Sequence, residues 1–460
     1  MVFSSIPFLF LFLPAVLLLC AAVPRRWRNC ALLPANLLFY AYGEPVYVLL
    51  MLASIAVNYG LGLAIGHPGG QSRKKPLLVL GVALNLLGLL VFKYAGLLTG
   101  TLAALFPGAG LPVLSPDLPI GISFYTFQAM SYVIDVYRGA CRAERSLVGF
   151  AAYISLFPQL IAGPIVRYSD IREQLRGDAP CRLTVHGGVR LFVIGLAKKV
   201  LLANPLGLLW AETAADPAAA GTLCAWMGLA AYSLQLYFDF SGYSDMARGL
   251  GALLGFDFCV NFDYPYLSRS VTEFWRRWHI SLSGWFRDYV YIPLGGSRRG
   301  TGRACLNLLI TWALTGLWHG AGWNFLAWGV YYGALLMAEK YLFPRLPLRL
   351  PGALRRVLTL LAVMLGWLLF ASDSFGAALR YLGVLFSLTG GTVTGGALSW
   401  VPLGLMACVA ATPLGARLWA RLEKRRRCAV PETALALAAL ILCTACLVSE
   451  SYNPFLYFRF

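Results

Sequence analysis

Four histidines are spread over 460 residues, and two of them sit where an imidazole can do chemistry. His319 lies in the apolar stretch 311–329, TWALTGLWHGAGWNFLAWG, between Gly316 on one side and Gly320 and Gly322 on the other. His279 lies about 40 residues upstream in the block 261–303, which mixes Phe274, Trp275, Trp278, Trp285 and Phe286 with Arg276, Arg277 and Arg287. An unperturbed imidazole has a pKa near 6.5 and is largely neutral at pH 7. It can therefore take a proton from a hydroxyl, or attack an acyl carbon itself. His67 stands at the end of an apolar run and His186 in a basic loop, and both read as interfacial.

The elements that hold these two residues differ. An ionisable side chain at membrane depth is costly and normally faces the protein interior or a wet cavity. The glycines around His319 permit close backbone approach and nonhelical turns. Nonhelical backbone within a bilayer survives only where protein or a water-filled space covers it. The segment therefore reads as a broken helix around a tunnel. A histidine that simply bonds a neighbouring helix is the competing reading. In the upstream block a helix is expected to start near Ser270. Trp275, Trp278, His279 and Leu282 then share one face at i, i+3, i+4 and i+7. That is an amphipathic helix at the cytoplasmic interface, or equally an interfacial anchor.

The surrounding chain is lipid-soluble. Hydrophobic residues make up 59% and charged residues 13%, against about a quarter charged in a soluble domain. The net charge of +18 falls in short loops between apolar stretches, which matches positive-inside topology rather than nucleic-acid binding. A bilayer-crossing helix needs about 20 apolar residues. Candidate spans fall at 5–23, 31–43, 45–66, 76–94, 118–137, 187–210, 222–240, 305–317, 324–343, 355–371, 376–391, 399–416 and 431–449. Roughly 10 to 13 membrane segments follow, the short ones near 31–43, 148–165 and 305–317 being tilted or re-entrant. The first apolar run has its basic group, Arg25, Arg26 and Arg28, after it and reads as a transmembrane helix rather than a signal peptide.

With the basic clusters on the cytoplasmic side, the loops around 106–117 and 212–221 and the tail from Ser449 lie outside. Most of the 11 cysteines lie in apolar runs without metal spacing, so neither a disulfide framework nor a metal site is expected. The fold class expected is all-α, polytopic, one membrane domain over 1–460 around a central tunnel. It has N-terminal spans at 1–117, a catalytic core at 118–330 and C-terminal spans at 331–460. Polar residues concentrate in that core, among them Gln128, Asp135, Gln159, Gln235, Asp239, Asp245 and Arg248. Most read as ion pairs and caps, and Asp239 or Asp245 can also orient a histidine.

Five ordered motifs carry a resemblance. They are PIGISFYTFQAMSYVIDVYRG, FPQLIAGPI, FDFSGYSDMARG, EFWRRWHISLSGWFRDYVYIPLGG and GLWHGAGWNF, within about 118–330. Together they resemble the membrane-bound O-acyltransferase family. The continuation YIPLGGSRRG and the terminal FLYFRF look like its bacterial alginate and polysaccharide O-acetylation branch. The D-alanyl branch of teichoic acid modification shares RWHxSLSxWFRDY and is the alternative.

The resemblance implies an acyl-CoA donor, acetyl-CoA in this branch, on the cytoplasmic side, and an acceptor across the cytoplasmic (inner) membrane. No cofactor is bound permanently. His319 matches the family's membrane-embedded active-site histidine. His279 matches a second signature position, often asparagine in eukaryotic members. Trp278, Trp318 and Asn324 are expected to contact substrate, and Arg276 and Arg277 the donor phosphates. No GxSxG elbow occurs, so an extracytoplasmic esterase-like partner of the SGNH serine type is expected to modify the sugar. An acyl or lipid transporter, or a recruiting subunit without catalysis, is the reading of a different class.

Overall fold

The structure, a computed structural model, describes residues 1–69, 71–345, 347, 350–391, 399–423, 429–449, 452, 453, 455 and 456. The basic residues Lys424–Arg427 and the end of the tail motif, 457–460, lie outside the described residues. The described residues are helical and contain no strand. They form two compact units: Met1–Phe192 with Tyr243–Cys259, and Val193–Gly242 with Val260–Phe460.

The first unit contains α1 (Leu13–Ala22), α2 (Arg28–Ala41), α3 (Val48–Gly66), α4 (Lys74–Leu89), α5 (Ala95–Leu105), α6 (Ile122–Arg138), α7 (Leu147–Ser155), α8 (Phe157–Leu160) and α9 (Tyr168–Arg176). The unit boundaries fall inside α10 (Val185–Ala197) and α12 (Pro217–Leu253). Apolar side chains cannot hold helices together in lipid, because lipid solvates them equally well, so polar pairs and small residues do it. Asn58 on α3 and Asn85 on α4 exchange side-chain hydrogen bonds at 3.3 and 2.7 Å. Gly62 on α3 leaves room for the Tyr132 ring of α6. At the polar end, Glu144 takes hydrogen bonds from Tyr168 and from Arg176 at 3.1 Å. Burial alone would raise the Glu144 pKa, but the bonds from Tyr168 and the Ser146 amide and the Arg176 charge outweigh it and hold it low.

The second unit contains α11 (Asn204–Ala215), the first part of α12, α13 (Val271–Arg277), α14 (Ile280–Phe286), α15 (Thr301–His319), α16 (Trp323–Met337), α17 (Gly352–Ala371), α18 (Phe375–Phe386), α19 (Val401–Ala410), α20 (Leu414–Glu423) and α21 (Ala429–Ser449). Its apolar core packs Ala225 and Leu229 of α12 against Met364 and Leu368 of α17 and Tyr381 and Leu385 of α18.

By length and apolarity, five helices of the described residues can cross a bilayer: Val48–Gly66, Lys74–Leu105, Val185–Ala215, Gly352–Ala371 and Glu432–Ser449. A sixth follows if α19 and α20, bent by 62°, form one broken span. The larger number expected from the sequence includes helices that miss this test, such as α6 with 17 residues. None of the five falls in 261–300. The chain is an all-α, multi-pass membrane protein.

Candidate active site

Both histidines lie in the second unit, and each sits at a helix end. Ser270 caps α13, its hydroxyl taking the Glu273 amide at 3.0 Å. Glu339, in the helical continuation of α16, takes the Val271 and Thr272 amides at 2.5 and 2.7 Å. A carboxylate there satisfies orphan amides and suits the positive helix end. The helix start expected near Ser270 is therefore present. The single amphipathic helix running through His279 is not.

α13 stops at Arg277, Trp278 is extended and His279 is left-handed at φ 45°, ψ 53°. The reason lies in residues 261–263. The Ile280 amide donates to the Asn261 carbonyl at 3.0 Å, and the Asp263 amide donates to the Arg277 carbonyl at 2.9 Å. These bonds replace the helical ladder across the break. Non-glycine residues seldom adopt this backbone, and histidine and asparagine are among those that tolerate it best.

His279 is fully buried. Its Nδ1 lies 3.3 Å from Asn261 Oδ1. The Ser281 amide and hydroxyl donate to the same oxygen at 3.1 and 2.9 Å. A backbone N–H can only donate, so the Asn261 atom is an oxygen acceptor and His279 Nδ1 carries the proton. The lone pair is then on Nε2, which has no hydrogen-bond partner among the described residues. Burial pushes the His279 pKa well below the ordinary imidazole value. The ring stacks edge-on to Phe240 at 4.6 Å between centroids.

α15 ends on His319, and α16 begins four residues later at Trp323. The break expected from the glycines is present, but its glycines supply space rather than unusual backbone. Gly320 and Gly322 are extended, while a Cβ on Gly320 would meet the Phe325 ring at 2.1 Å. Further along the hairpin, a Cβ on Gly316 would meet the Phe325 carbonyl at 2.2 Å, and one on Gly329 the Trp312 carbonyl at 2.3 Å. The two helices thus pack backbone to backbone. His319 is buried among Trp318, Trp328 and Phe370, with centroids at 5.0, 5.1 and 5.4 Å. The His279 and His319 rings are 6.4 Å apart.

His319 opens on a cavity of about 30 Å³, also lined by Leu236, Asp239, Phe240, Trp278, Trp367, Phe370, Phe455 and Leu456. That volume holds two or three waters, at roughly 10–15 Å³ of such space each. Of the residues singled out from the sequence, Trp278 lines the cavity and Trp318 packs against both histidines at 6.0 and 5.0 Å. The Asn324 amide donates to the Ser372 carbonyl at 2.9 Å, tying α16 to the end of α17.

Arg276 is exposed. Arg277 pairs with Glu273 at 2.9 Å and Asp263 at 3.6 Å. It lines a separate cleft of about 410 Å³ with Arg269, Arg356 and Arg417. Asp239 pairs with Lys199 at 2.6 Å, and Asp245 with Arg248 at 3.6 Å. It is the Asn261 amide, not a carboxylate, that fixes the His279 tautomer. Asn261 and Phe370 carried no sequence signal of their own, because each acts on a histidine far along the chain, and the tail motif that contains Phe455 and Leu456 carried none that tied it to His319.

The sequence of this chain is similar to proteins of known class. The family model of the membrane-bound O-acyltransferases matches residues 142–374. The probable alginate O-acetylase of Azotobacter vinelandii is 45% identical over 393 residues, covering 84% of this chain and 78% of that protein. The probable alginate O-acetylase of Pseudomonas putida is 40% identical over the full length of both. The peptidoglycan O-acetyltransferase of Helicobacter pylori is 32% identical over 80% of this chain and 74% of that protein. The chain belongs to the membrane-bound O-acyltransferase family and is an O-acyltransferase.

Proposed function

We propose that the protein moves an acetyl group from cytoplasmic acetyl-CoA to an acceptor on the far side of the cytoplasmic membrane, for O-acetylation of an exported or cell-surface polysaccharide. The observation that carries this reading is the small cavity at His319, with the His279 ring 6.4 Å from the His319 ring. The printed activities of the alginate and peptidoglycan relatives support the polymer class.

In this mechanism His319 takes the proton from an acceptor hydroxyl. The freed oxygen attacks the thioester carbonyl carbon, the new C–O bond forms and the C–S bond breaks. The CoA thiolate leaves with the proton returned by the imidazolium. Direct transfer needs the nitrogen within about 3 Å of the hydroxyl. A covalent acyl-histidine reaches the same product in two steps. His279, neutral and with its Nε2 lone pair available, orients the hydroxyl by accepting a hydrogen bond. The cleft of Arg269, Arg277, Arg356 and Arg417 supplies guanidinium forks for the donor phosphates. An esterase-like protein outside the membrane completes transfer to the sugar.

Proteoliposomes separate this from transport. With acetyl-CoA on the side of the basic loops and the esterase-like partner on the other, free CoA is expected on the donor side and acetyl label on the far side. Passage of intact acetyl-CoA, with no thioester broken, contradicts the proposal.

A further inference from the structure

The mechanism above leaves one buried ion pair unused. Lys199 and Asp239 meet at 2.6 Å with side chains only 4% and 2% exposed. Two charges withdrawn from water are held at a cost, and at membrane depth such pairs usually serve a site. The second carboxylate oxygen of Asp239 takes the backbone amide of Leu456, 217 residues away, at 2.9 Å. The Lys199 ammonium also sits 5.9 Å from the Phe455 ring centroid. Upstream, the Asn204 amide donates to the Asn453 side chain at 3.2 Å. Asn453, Phe455 and Leu456 are therefore each held by the second unit, and the side chains of Phe455 and Leu456 form part of the wall of the His319 cavity.

We infer that Phe455 and Leu456, with Tyr452 and Asn453 before them, are a docked strap that closes the His319 cavity and sets the length of acyl group accepted there, with Asp239 as the residue that positions it. This rests on the acyl-transfer reading above. Phe455 and Leu456 fill space that a longer acyl chain would need, and Asp239, held in register by Lys199, seats the strap through the Leu456 amide. In an apolar pocket each methylene accommodated or refused changes relative turnover by about 10- to 200-fold. Shortening the wall is expected to shift preference toward longer donors rather than only to slow the reaction.

The test uses the purified full chain and CoA release from acetyl-CoA and butyryl-CoA. Leu456→Ala and Phe455→Ala are expected to raise the butyryl-to-acetyl ratio of kcat/KM by about tenfold or more. An unchanged ratio in both active variants overturns the strap. Lys199→Met combined with Asp239→Leu removes both charges together, so neither is left buried alone. Faster amide hydrogen exchange at Tyr452, Asn453, Phe455 and Leu456 and a raised butyryl ratio are expected of it. Unchanged exchange overturns the clasp, and faster exchange with an unchanged ratio overturns the wall. Leu456→Pro, which removes the donated amide hydrogen together with the leucine side chain, is expected to give the same readings if the double variant fails to fold. Wild-type protein that cleaves neither donor refutes the acyl-transfer reading itself, while exchange protection of the strap is still measured.

Discussion

At His279 backbone and chemistry are set together. The left-handed turn costs an ordinary residue about 1–2 kcal/mol, and Asn261 holds both the turn and the ring. His279→Asn is therefore expected to melt close to wild type, with His279→Val lower by a further 1–2 kcal/mol or so in thermal unfolding. Asn261→Ala leaves the Ser281 amide and the His279 Nδ1–H without their acceptor. A buried donor left unsatisfied costs about 1–3 kcal/mol, and the loss should appear both in melting temperature and in kcat.

Burial keeps His279 neutral in the fold, while in the unfolded chain it protonates below about pH 6.5. The unfolded state then binds the extra proton, so stability is full above that pH and falls as the pH drops below it. Melting measured at about pH 5 and 7.5 should show a smaller acid loss in His279→Asn than in wild type. His279 stood out in the sequence as a histidine among tryptophans and arginines. Its backbone was not legible, because the determinant, Asn261, lies 18 residues upstream.

At the scale of elements, the hairpin of α15 and α16 presents His319 by bringing two backbones into contact. Gly316→Ala and Gly329→Ala place a methyl against backbone carbonyls that cannot swing aside. Each is expected to cost about 1–3 kcal/mol and to lower activity in the surviving protein, read by melting and by CoA release. The break at 320–322 was legible because three glycines flank the histidine within a short apolar run. The break at 278–279 was not, since Trp275, Trp278, His279 and Leu282 fit a continuous helix equally well. Periodicity reports which residues are buried, and two short helices can bury the same set. The ion pair of Asp245 with Arg248, three residues on, was legible in the sequence, whereas Lys199 as the partner of Asp239, 40 residues upstream, was not.

At the scale of the whole molecule, composition alone placed the chain in lipid, and the helical, multi-pass architecture agrees. Span number was less legible. Short and polar-bearing helices such as α6 and α15 serve the buried interior rather than meeting lipid all round, so a rule of length and apolarity passes over them. The molecule also carries no secreted hydrolase signature, with no GxSxG elbow in the sequence. On the proposed function, the purified chain alone is expected to cleave acetyl-CoA slowly by transfer to water without acetylating added polymer, and polymer labelling is expected when the proposed extracytoplasmic partner supplies the acceptor hydroxyl. Polymer labelling by the chain alone would show that it needs no such partner.

The central claim is that His319 performs the acyl transfer. The most direct measurement is CoA release from acetyl-CoA by purified wild type and by His319→Ala, each confirmed folded by its melting transition. Loss of a general base is expected to lower the rate by about 10²–10⁴-fold. A folded His319→Ala protein that releases CoA at the wild-type rate contradicts the account.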